Sequence, residues 1–460
     1  MRLTTLLLLV PLSTALAAAP HARAAGPALP VDLVRHALPD TAHRPAPGCA
    51  MAAFGAGRQL GFQAAGLADL DTAEPIDADT VFYAASVSKQ FTALAVVQLA
   101  LAGRIDLDAP IHDYLDELPR YQAPVTVRML LHHASGVRDS LSLLRMAGWE
   151  RTADARMGDA LAVLHQQRST QFPPGTATSY SNGGYLLLAE LVQRVSGQPF
   201  AGYVRAHILD PLGMKASYVL ADHAPHADHL AHGHVASGEG FAVRDTYPRF
   251  GGSGGLMTSM ADLARYEADI AHGHKVWTPQ VLAAMTAPGQ LLDGSPARND
   301  EGEFVYASGL MLGHSHGRPI VRHGGTAEGF RALYLRMPAE QRAWIVLCNR
   351  ADARPQELVD RAIEAWQQRP QPIDGHYTSP ELPARYRLAR EGGQRVLAIL
   401  RAGAAEEVRH VLSAQDDGSL RAGNLRLRPL ASDAFVLETE RARGIVLRRS
   451  GGPGAGPGGE

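Results

Sequence analysis

The 460-residue sequence has only two cysteines, few aromatic residues and no surplus of charge of either sign. Aromatic residues make up 6% of the chain, and 44 basic residues against 46 acidic ones give a formal net charge of -2. Two cysteines are too few for a disulfide-stapled scaffold. The balanced charge argues against a nucleic-acid partner, because no excess of positive charge is present to neutralise phosphates. With 46% hydrophobic residues, the composition is typical of a soluble globular protein.

The two cysteines, Cys49 and Cys348, both lie in apolar stretches that are typical of β-strands. We expect two buried thiols that pack as small hydrophobic side chains. A disulfide between them stays open as the alternative, because their number is even and an oxidising compartment would permit a bridge.

Long apolar runs are also lacking beyond the N-terminus, so no membrane span is expected in the mature chain. The first residues combine a positive charge at Arg2, an apolar run at residues 6–9 and small-residue cleavage sites after Ala17 and Ala24. Charge, apolar stretch and small residues in this order are typical of a secretory signal peptide. We therefore predict a signal peptide over residues 1–24 and a periplasmic or extracellular location.

Two blocks with different patterns follow the predicted signal peptide, which suits a length of 460 residues at roughly 100 to 200 residues per domain. Residues 28–368 predict one large domain with strands at both ends and helices between them. Such an order implies an α+β fold, in which the two ends of the domain complete one antiparallel sheet. The elements expected there are a hairpin at residues 51–64, a buried helix at 91–101, a mostly α region at 105–247, strands at 320–323, 330–335 and 343–348, and a helix from Pro355.

A polar, proline-rich linker at residues 367–372 separates this domain from the second block. Short alternating apolar runs divided by glycine turns fill residues 373–449, and they predict a small all-β domain, either a barrel or a sandwich. Residues 450–460 are rich in glycine and proline and predict a disordered tail.

A serine and a lysine three residues apart, Ser86 and Lys89, stand at the entry to the buried helix. This spacing puts both side chains on one helix face, which suits a nucleophile and its base. Free N–H groups at the helix N-terminus would favour an oxyanion formed on attack. Burial beside an apolar helix is expected to lower the pKa of Lys89. The alternative is a helix N-cap followed by a solvated lysine.

A second motif, Tyr-x-Asn, is formed by Tyr180 and Asn182 just before an apolar helix. A tyrosine near Lys89 could act as a phenolate or relay a proton between Ser86 and the leaving group. The Asn182 amide could hold both Lys89 and a substrate carbonyl. The alternative is a buried tyrosine followed by an asparagine that caps the helix.

A third motif, His323-Gly324-Gly325, ends a β-branched strand. Two glycines at this point allow another backbone to lie close, as an acylating substrate requires. The N–H of Thr326, together with that of Ser86, would form a two-donor oxyanion hole. The alternative for His323 is an ordinary turn histidine.

These motifs, in this order, resemble the class C β-lactamase and penicillin-recognising serine hydrolase family, which includes D,D-peptidases, D-aminopeptidases and family VIII esterases. The segments Leu130-Leu-His-His-Ala-Ser-Gly136 and Gly251-Gly-Ser-Gly-Gly255 are similar to further family segments. The resemblance implies a β-lactamase/transpeptidase-like fold over residues 28–368. It also implies catalysis by Ser86, Lys89 and Tyr180 on a small-molecule or peptide substrate, with no metal or organic cofactor. The segment from Gly375 looks like the lipocalin-like domain of some D-aminopeptidase-type members.

One departure from the family pattern bears on the substrate. Many β-lactamases have Lys-Thr-Gly where this chain has His323-Gly324-Gly325, so a permanent cation and a hydroxyl that could hold a β-lactam carboxylate are missing. We therefore expect an amide or ester hydrolase of the D-aminopeptidase, D,D-peptidase or esterase type. A true β-lactamase stays open as the alternative, as do transpeptidation to an amine and a penicillin- or peptidoglycan-binding sensor without turnover.

Five histidines lie close together in one stretch, at positions 223, 226, 229, 232 and 234. Their spacing fits neither one helix face nor a familiar zinc pattern, and no cysteine accompanies them. The surrounding alanine, aspartate and glycine residues predict an exposed loop instead of a metal site.

Overall fold

The computed structural model describes residue 29 and residues 32–222, 227–238, 240–367, 374–414, 419–431 and 434–450. The predicted signal peptide at residues 1–24 and residues 451–460 of the predicted tail lie outside these ranges, as does most of the predicted linker. In the described ranges, the helices are too short or too polar to cross a membrane.

Helices and strands alternate irregularly through the described part of the chain. The helices are α1 (Leu33–Ala37), α2 (Lys89–Leu101), α3 (Val127–Leu131), α4 (Ser140–Met146), α5 (Met157–His165), α6 (Asn182–Ser196), α7 (Phe200–Val204), α8 (Asp210–Leu212), α9 (Met260–Ala268), α10 (Pro279–Met285) and α11 (Pro355–Gln367). The strands are β1 (Cys49–Gly55), β2 (Arg58–Ala65), β3 (Leu67–Asp69), β4 (Glu74–Pro75), β5 (Val81–Tyr83), β6 (Tyr218–Val219), β7 (His234–Ser237), β8 (Gly240–Val243), β9 (Leu256–Ser259), β10 (Val305–Ala307), β11 (Leu310–Ser315), β12 (Arg318–Thr326), β13 (Arg331–Met337), β14 (Arg342–Cys348), β15 (Gly375–Ser379), β16 (Leu382–Glu391), β17 (Gln394–Arg401), β18 (Val408–Ala414), β19 (Leu420–Ala422), β20 (Leu425–Ala431), β21 (Ala434–Glu438) and β22 (Ile445–Arg449).

The main sheet has seven strands in the order β10-β11-β12-β13-β14-β1-β2. Every neighbouring pair is antiparallel, and β1 pairs with both its hairpin partner β2 and the sequence-distant β14. The prediction of an antiparallel sheet completed by both ends of the domain is therefore confirmed, as are the hairpin and the strand meander.

Both faces of the main sheet are covered, which explains why β1 is apolar at nearly every position. Side chains of Ala50, Ala52 and Phe54 join the larger core on the side of the helical region, where α9 packs. The alternate side chains of β1 join a second core beneath α1 and α11. Successive side chains of β1 point to opposite faces of the sheet, so this one strand contributes to both cores.

The helix α2 runs through the larger core and packs against α6 and α10. Its sequence is apolar nearly all round, as expected for a helix buried on most sides. Three polar side chains at its start, Lys89, Gln90 and Thr92, are buried as well. Burying a lysine, an amide and a hydroxyl is costly unless each finds partners, so this end of the helix is a candidate for function.

Cys49 and Cys348 form a disulfide, so the expectation of two free thiols is wrong. The two residues lie directly opposite each other in the β1–β14 ladder, with their Cα atoms 4.0 Å apart. Their pairing depends on the register of two strands that are 299 residues apart in sequence, which the local apolar pattern of each strand does not reveal.

The C-terminal strands β15 to β22 form a closed eight-stranded barrel, in which each strand pairs with the next and β22 pairs back with β15. This decides between the barrel and the sandwich that the sequence left open. Tyr377 and Phe435 contact each other in its core, with ring centroids 4.5 Å apart. Sequential pairing of eight strands is the arrangement of lipocalin-type barrels. The domain boundaries at residues 28–368 and 373–449 stay predictions.

The histidine-rich stretch is only partly described, since His223 and His226 lie outside the described residues. His229 and His232 pair with the carboxylates of Glu74 and Asp245 at 2.5 and 2.7 Å. His234 is fully buried, so the prediction of an exposed loop is wrong for this residue. It is the first residue of β7, where it pairs with Val243 of β8, and its N–H donates to the Asn349 carbonyl at 3.0 Å.

Candidate active site

Ser86 lies in a tight 3-10 turn, Ala85–Ser88, that leads from β5 directly into α2. The residue before it, Ala85, has a φ of 47°, a left-handed conformation that an alanine adopts at a cost of about 1–3 kcal/mol. Ser86 is partly exposed, whereas Ser88 is buried and bonds to the backbone at Ala85 O and Leu256 N. Of the two serines in the turn, Ser86 is thus the one whose hydroxyl can reach a ligand.

Lys89 is fully buried, and its ammonium nitrogen has three oxygen partners. Nζ lies 3.2 Å from Ser86 Oγ, 2.8 Å from Asn182 Oδ1 and 2.7 Å from the carbonyl oxygen of Ser253. The predicted contact between Ser86 and Lys89 is therefore present, and the alternative of a solvated lysine is wrong. Ser253 belongs to the glycine-rich segment noted in the sequence, which supplies a backbone acceptor.

The surroundings of Lys89 favour its uncharged form. Burial lowers the pKa of Lys89 to about 7, although the negative charge of Asp139 acts in the opposite direction. The ammonium nitrogen lies 4.7 Å from the ring centroid of Tyr180 and 5.5 Å from that of Tyr185. A substantial neutral fraction at neutral pH gives Lys89 a lone pair that can accept a proton.

Tyr180 lies beside both members of the Ser86–Lys89 pair, with its ring near Lys89 Nζ and its hydroxyl within reach of the Ser86 hydroxyl. Burial raises the pKa of Tyr180 above its ordinary value. The side chain is therefore a neutral phenol near pH 7, which favours the predicted proton relay over the predicted phenolate. Its ring stacks on the imidazole of His133, with centroids 4.5 Å apart and planes inclined by 30°.

Asn182 is the first residue of α6, but it does not cap that helix. Ser181 is the cap, since its hydroxyl accepts a hydrogen bond from Gly184 N at 3.1 Å. The Asn182 side chain is left to bridge two other groups. Its Oδ1 accepts from Lys89, and its Nδ2 donates to Asp139 Oδ2 at 2.7 Å.

Asp139 is part of this network although the sequence motifs did not indicate it. It is the N-cap of α4, where its Oδ1 accepts from Ser142 N at 2.8 Å. Its position three residues after Gly136, directly before a helix, is a recognisable capping signal. That signal predicts the cap but not the contact with Asn182, which is 43 residues away.

His323 is buried on β12, and its ring lies near Tyr180, with centroids 6.3 Å apart. Nδ1 is 2.7 Å from the carbonyl oxygen of Gly324 and must carry the proton, because a carbonyl only accepts. Burial, together with the charge of Lys89, lowers the pKa of His323 to about 3. The ring is therefore neutral and offers Nε2 as an acceptor, so it supplies no permanent cation.

The two glycines after His323 differ in how much space a side chain would have. Gly325 is buried against the turn of Ser86, and a Cβ there would collide with the carbonyl oxygen of Ala84. A Cβ on Gly324 would meet no atom closer than 3.9 Å. Close approach therefore requires glycine at position 325, and it brings the exposed Thr326 at the end of β12 to the neighbourhood of Ser86.

His133, from the segment at residues 130–136, contacts the Tyr180–Asn182 segment from the side of the protein core. It is buried with a φ of 56°, and its Nδ1 accepts a hydrogen bond from Ser181 N at 3.1 Å. Burial lowers its pKa well below the ordinary value. A neutral ring that accepts from the backbone and stacks on Tyr180 holds the Tyr180–Asn182 segment in place. Within the described ranges, no cluster of three or more metal-ligating side chains is present.

Sequence comparison relates most of the large domain to known proteins. The family described as Beta-lactamase matches residues 34–366. A D-aminopeptidase from Cereibacter sphaeroides is 28% identical over 294 residues, which are 64% of this chain and 55% of that protein. A penicillin-binding protein from Bacillus subtilis is 28% identical over 317 residues, which are 65% of this chain and 67% of that protein. The chain thus spans little more than half the length of the D-aminopeptidases it matches.

Solved structures share the fold at lower sequence identity. The octameric penicillin-binding protein homologue from Pyrococcus abyssi has a TM-score of 0.64 and 20% identity, covering 91% of this chain and 99% of its own. The D-amino acid amidase from Ochrobactrum anthropi SV3 has a TM-score of 0.60 and 22% identity, covering 73% of this chain and 98% of its own. The first of these likenesses extends beyond the large domain into the region of the C-terminal barrel.

Proposed function

The chain belongs to the beta-lactamase family, and we propose that this member is a serine hydrolase that cleaves an amide or ester bond through an acyl-enzyme on Ser86. One observation carries the proposal. A fully buried lysine with its pKa lowered to about 7 lies 3.2 Å from the hydroxyl of a partly exposed serine. A nucleophile within hydrogen-bond reach of an uncharged base is the arrangement that covalent catalysis requires.

Lys89 is the proposed base in the first step, and its contacts direct its lone pair. The carbonyl oxygen of Ser253 and Oδ1 of Asn182 only accept hydrogen bonds, so they take the two N–H groups of the neutral amine. The third tetrahedral position points at Ser86. It can hold the lone pair that removes the hydroxyl proton while Ser86 Oγ attacks the substrate carbonyl carbon.

Thr326 N and Ser86 N are the proposed donors to the oxyanion that this attack forms. Ser86 is in the first turn of a helical segment, where backbone N–H groups lack intrahelical acceptors. Gly325 brings the end of β12 against the same turn. Two backbone donors on an oxyanion usually contribute more to acyl transfer than any other single group, with about 10²–10³ in kcat for one donor.

Tyr180 is the proposed group that returns the proton. Its neutral phenol can donate to the departing nitrogen or oxygen while it takes the proton now on Lys89. The carbon–nitrogen or carbon–oxygen bond breaks, and the acyl group remains on Ser86. A water molecule then attacks the acyl carbon and gives one proton to Lys89. The bond between the acyl carbon and Ser86 Oγ breaks, Oγ takes that proton, and the acid leaves, so that Ser86, Lys89 and Tyr180 return to their starting forms.

The substrate that we propose is a small amide, peptide or ester of the D-aminopeptidase, D,D-peptidase or esterase type. Relatives named D-aminopeptidase support this choice. The neutral His323 supports it too, because the site lacks at this position the cation that would hold the carboxylate of a β-lactam. A β-lactamase is the second candidate, favoured by the family match alone.

A substrate panel tests this choice. We expect the purified protein to hydrolyse D-aminoacyl p-nitroanilides or short p-nitrophenyl esters with a larger kcat/KM than a penicillin, and expect matched L-aminoacyl compounds to separate peptidase from esterase specificity. A penicillin turned over fastest of all would make the protein a β-lactamase and contradict the role given to His323.

We also propose that the protein is exported to the periplasm or the cell exterior. The support is the composition of residues 1–24, with Arg2 before an apolar run and small residues at Ala17 and Ala24. The N-terminus of the protein recovered from fractionated cells should begin after one of these alanines. Recovery of the uncleaved chain from the cytoplasm would contradict the proposal.

A further inference from the structure

Asp139 connects the start of one helix to the catalytic lysine through a single amide. Its Oδ1 accepts from Ser142 N and Ser142 Oγ at 2.8 and 2.9 Å. Its Oδ2 accepts from Asn182 N and Asn182 Nδ2 at 3.0 and 2.7 Å. A carboxylate has about four acceptor positions, so each oxygen of Asp139 is fully used. One oxygen serves helix α4, and the other serves Asn182.

These contacts fix which way the Asn182 amide faces. The oxygen and nitrogen of an amide have similar shapes, so the hydrogen-bond partners decide its orientation. Asp139 Oδ2 only accepts, and it therefore requires the NH₂ group of Asn182. The amide oxygen is left facing Lys89 Nζ at 2.8 Å. With the amide turned over, two donors would face each other at Lys89.

Asp139 also supplies the negative charge near Lys89. Among the described residues, the other groups that face the lysine are the amide oxygen of Asn182, the hydroxyl of Ser86, the carbonyl of Ser253, the phenols of Tyr180 and Tyr185 and the imidazoles of His133 and His323. The shifted pKa values of these phenols and imidazoles keep all four rings uncharged near pH 7. Asp139 acts on Lys89 by charge and raises its pKa against the effect of burial.

We propose that Asp139 is a positioning residue of this active site, which holds the Asn182 amide oxygen on Lys89 and thereby aims the lysine at Ser86. The proposal rests on the proposed role of Lys89 as the base. In this role Asp139 contacts Asn182, through both bonds to its Oδ2, and its charge acts on Lys89 from the far side of that amide. The residue is distinct from the three sequence motifs, and its place depends on the packing of α4 beside the start of α6.

The variant Asp139→Asn distinguishes the role of Oδ2 from that of Oδ1. Asparagine is as good an N-cap as aspartate, so the bonds to Ser142 can persist. An NH₂ group then replaces Oδ2 and faces the N–H groups of Asn182. We expect kcat to fall about 100-fold, the scale of a misplacement of about 1 Å, with a much smaller change in KM.

The matched control is Ser142→Ala. This variant removes the hydrogen bond that the Ser142 hydroxyl donates to the Asp139 carboxylate, but it leaves both bonds between Asp139 and Asn182. We expect this variant to keep its kcat within about twofold of the wild type, because a surface change of this kind affects stability by no more than about 0.5 kcal/mol. If Asp139→Asn does not fold, Asp139→Ser is the substitute, since serine also caps helices but is too short to replace Oδ2.

A direct titration of Lys89 distinguishes positioning from a purely structural role. The chain has only three lysines, Lys89, Lys215 and Lys275. With ¹³C-labelled lysine, NMR can therefore follow each side chain separately, and the other two serve as internal references. We expect the Lys89 midpoint to move to lower pH in Asp139→Asn and to stay in place in Ser142→Ala.

Unchanged kcat and an unchanged Lys89 midpoint in folded Asp139→Asn would overturn the proposal. Loss of activity together with lower thermal stability, but with the same Lys89 midpoint, would also overturn it, because Asp139 would then be a helix cap alone. Failure of the proposed function has a different signature. In that case the wild type would show no Ser86-dependent turnover, while the titration would still report the effect of the Asp139 charge on Lys89.

Discussion

Gly325 on β12 lies so close to Ala84 that any side chain at position 325 would collide with the Ala84 carbonyl oxygen. An added Cβ would also lie only 3.2 Å from the Cβ of Ala332. The contact joins the end of β12 to the backbone just before Ser86. The position of the nucleophile relative to Thr326 is therefore built into the fold by the absence of one side chain.

Gly325→Ala should accordingly destabilise the protein, by about 1–3 kcal/mol as is typical of overpacking. The control is Gly324→Ala, whose Cβ would have no neighbour closer than 3.9 Å and which should leave the free energy of unfolding nearly unchanged. Urea unfolding of both variants measures the difference. Equal stability of the two variants would contradict the close contact.

The pH dependence of hydrolysis should report the protonation of Lys89. Its pKa is lowered to about 7, and only the neutral amine can take the proton of Ser86. We expect kcat/KM to be small at acidic pH, to rise through about pH 7 and to level off above it. An activity that stays constant from pH 5 to 9 on a stable protein would argue against Lys89 as the base.

Tyr180→Phe should lower kcat by about 10²–10⁴, the usual contribution of a proton-transfer group. The phenyl ring can keep its stack on His133, so we expect little change in melting temperature. Tyr185→Phe provides the contrast, since the Tyr185 hydroxyl bonds to the backbone at Leu131 O and Gly309 N. Loss of the Tyr185 hydroxyl should lower the melting temperature clearly and change kcat only slightly. Full activity of Tyr180→Phe would remove Tyr180 from the mechanism.

Reduction of the Cys49–Cys348 disulfide should destabilise the large domain, because the bridge closes a loop between strands that are 299 residues apart in sequence. Removing a native disulfide costs about 2–5 kcal/mol. Unfolding with and without dithiothreitol measures this effect. The Cys49→Ala, Cys348→Ala double variant is the control and should not respond to the reductant. Identical unfolding of the wild type in both conditions would contradict a stabilising bridge.

The sequence alone indicates the parts of the site that depend on short spacing. Ser86 and Lys89 share a helix face because three residues nearly complete one turn, and the apolar run after them predicts the burial that lowers the pKa of Lys89. The alternating strands and the final helix follow in the same way from periodicity. These features depend on local geometry, which a linear pattern contains.

Other parts of the site depend on contacts between distant segments. The bond from Asp139 to Asn182 spans 43 residues, and the Ser253 carbonyl reaches Lys89 from 164 residues away. The Cys49–Cys348 bridge requires the register of two strands to be known. No periodic pattern records these pairings, because they arise only when the helices and strands have packed.

Intact-mass spectrometry of the wild type and of Ser86→Ala tests the central claim most directly. Each protein is exposed to a penicillin, a fluorophosphonate and a short-chain p-nitrophenyl ester, and turnover is followed in parallel. We predict a covalent adduct and ester turnover for the wild type, and neither for a folded Ser86→Ala variant. An adduct or substantial turnover in Ser86→Ala would contradict Ser86 as the nucleophile, and a wild type that forms no adduct and turns over none of the compounds would favour a binding protein without catalysis.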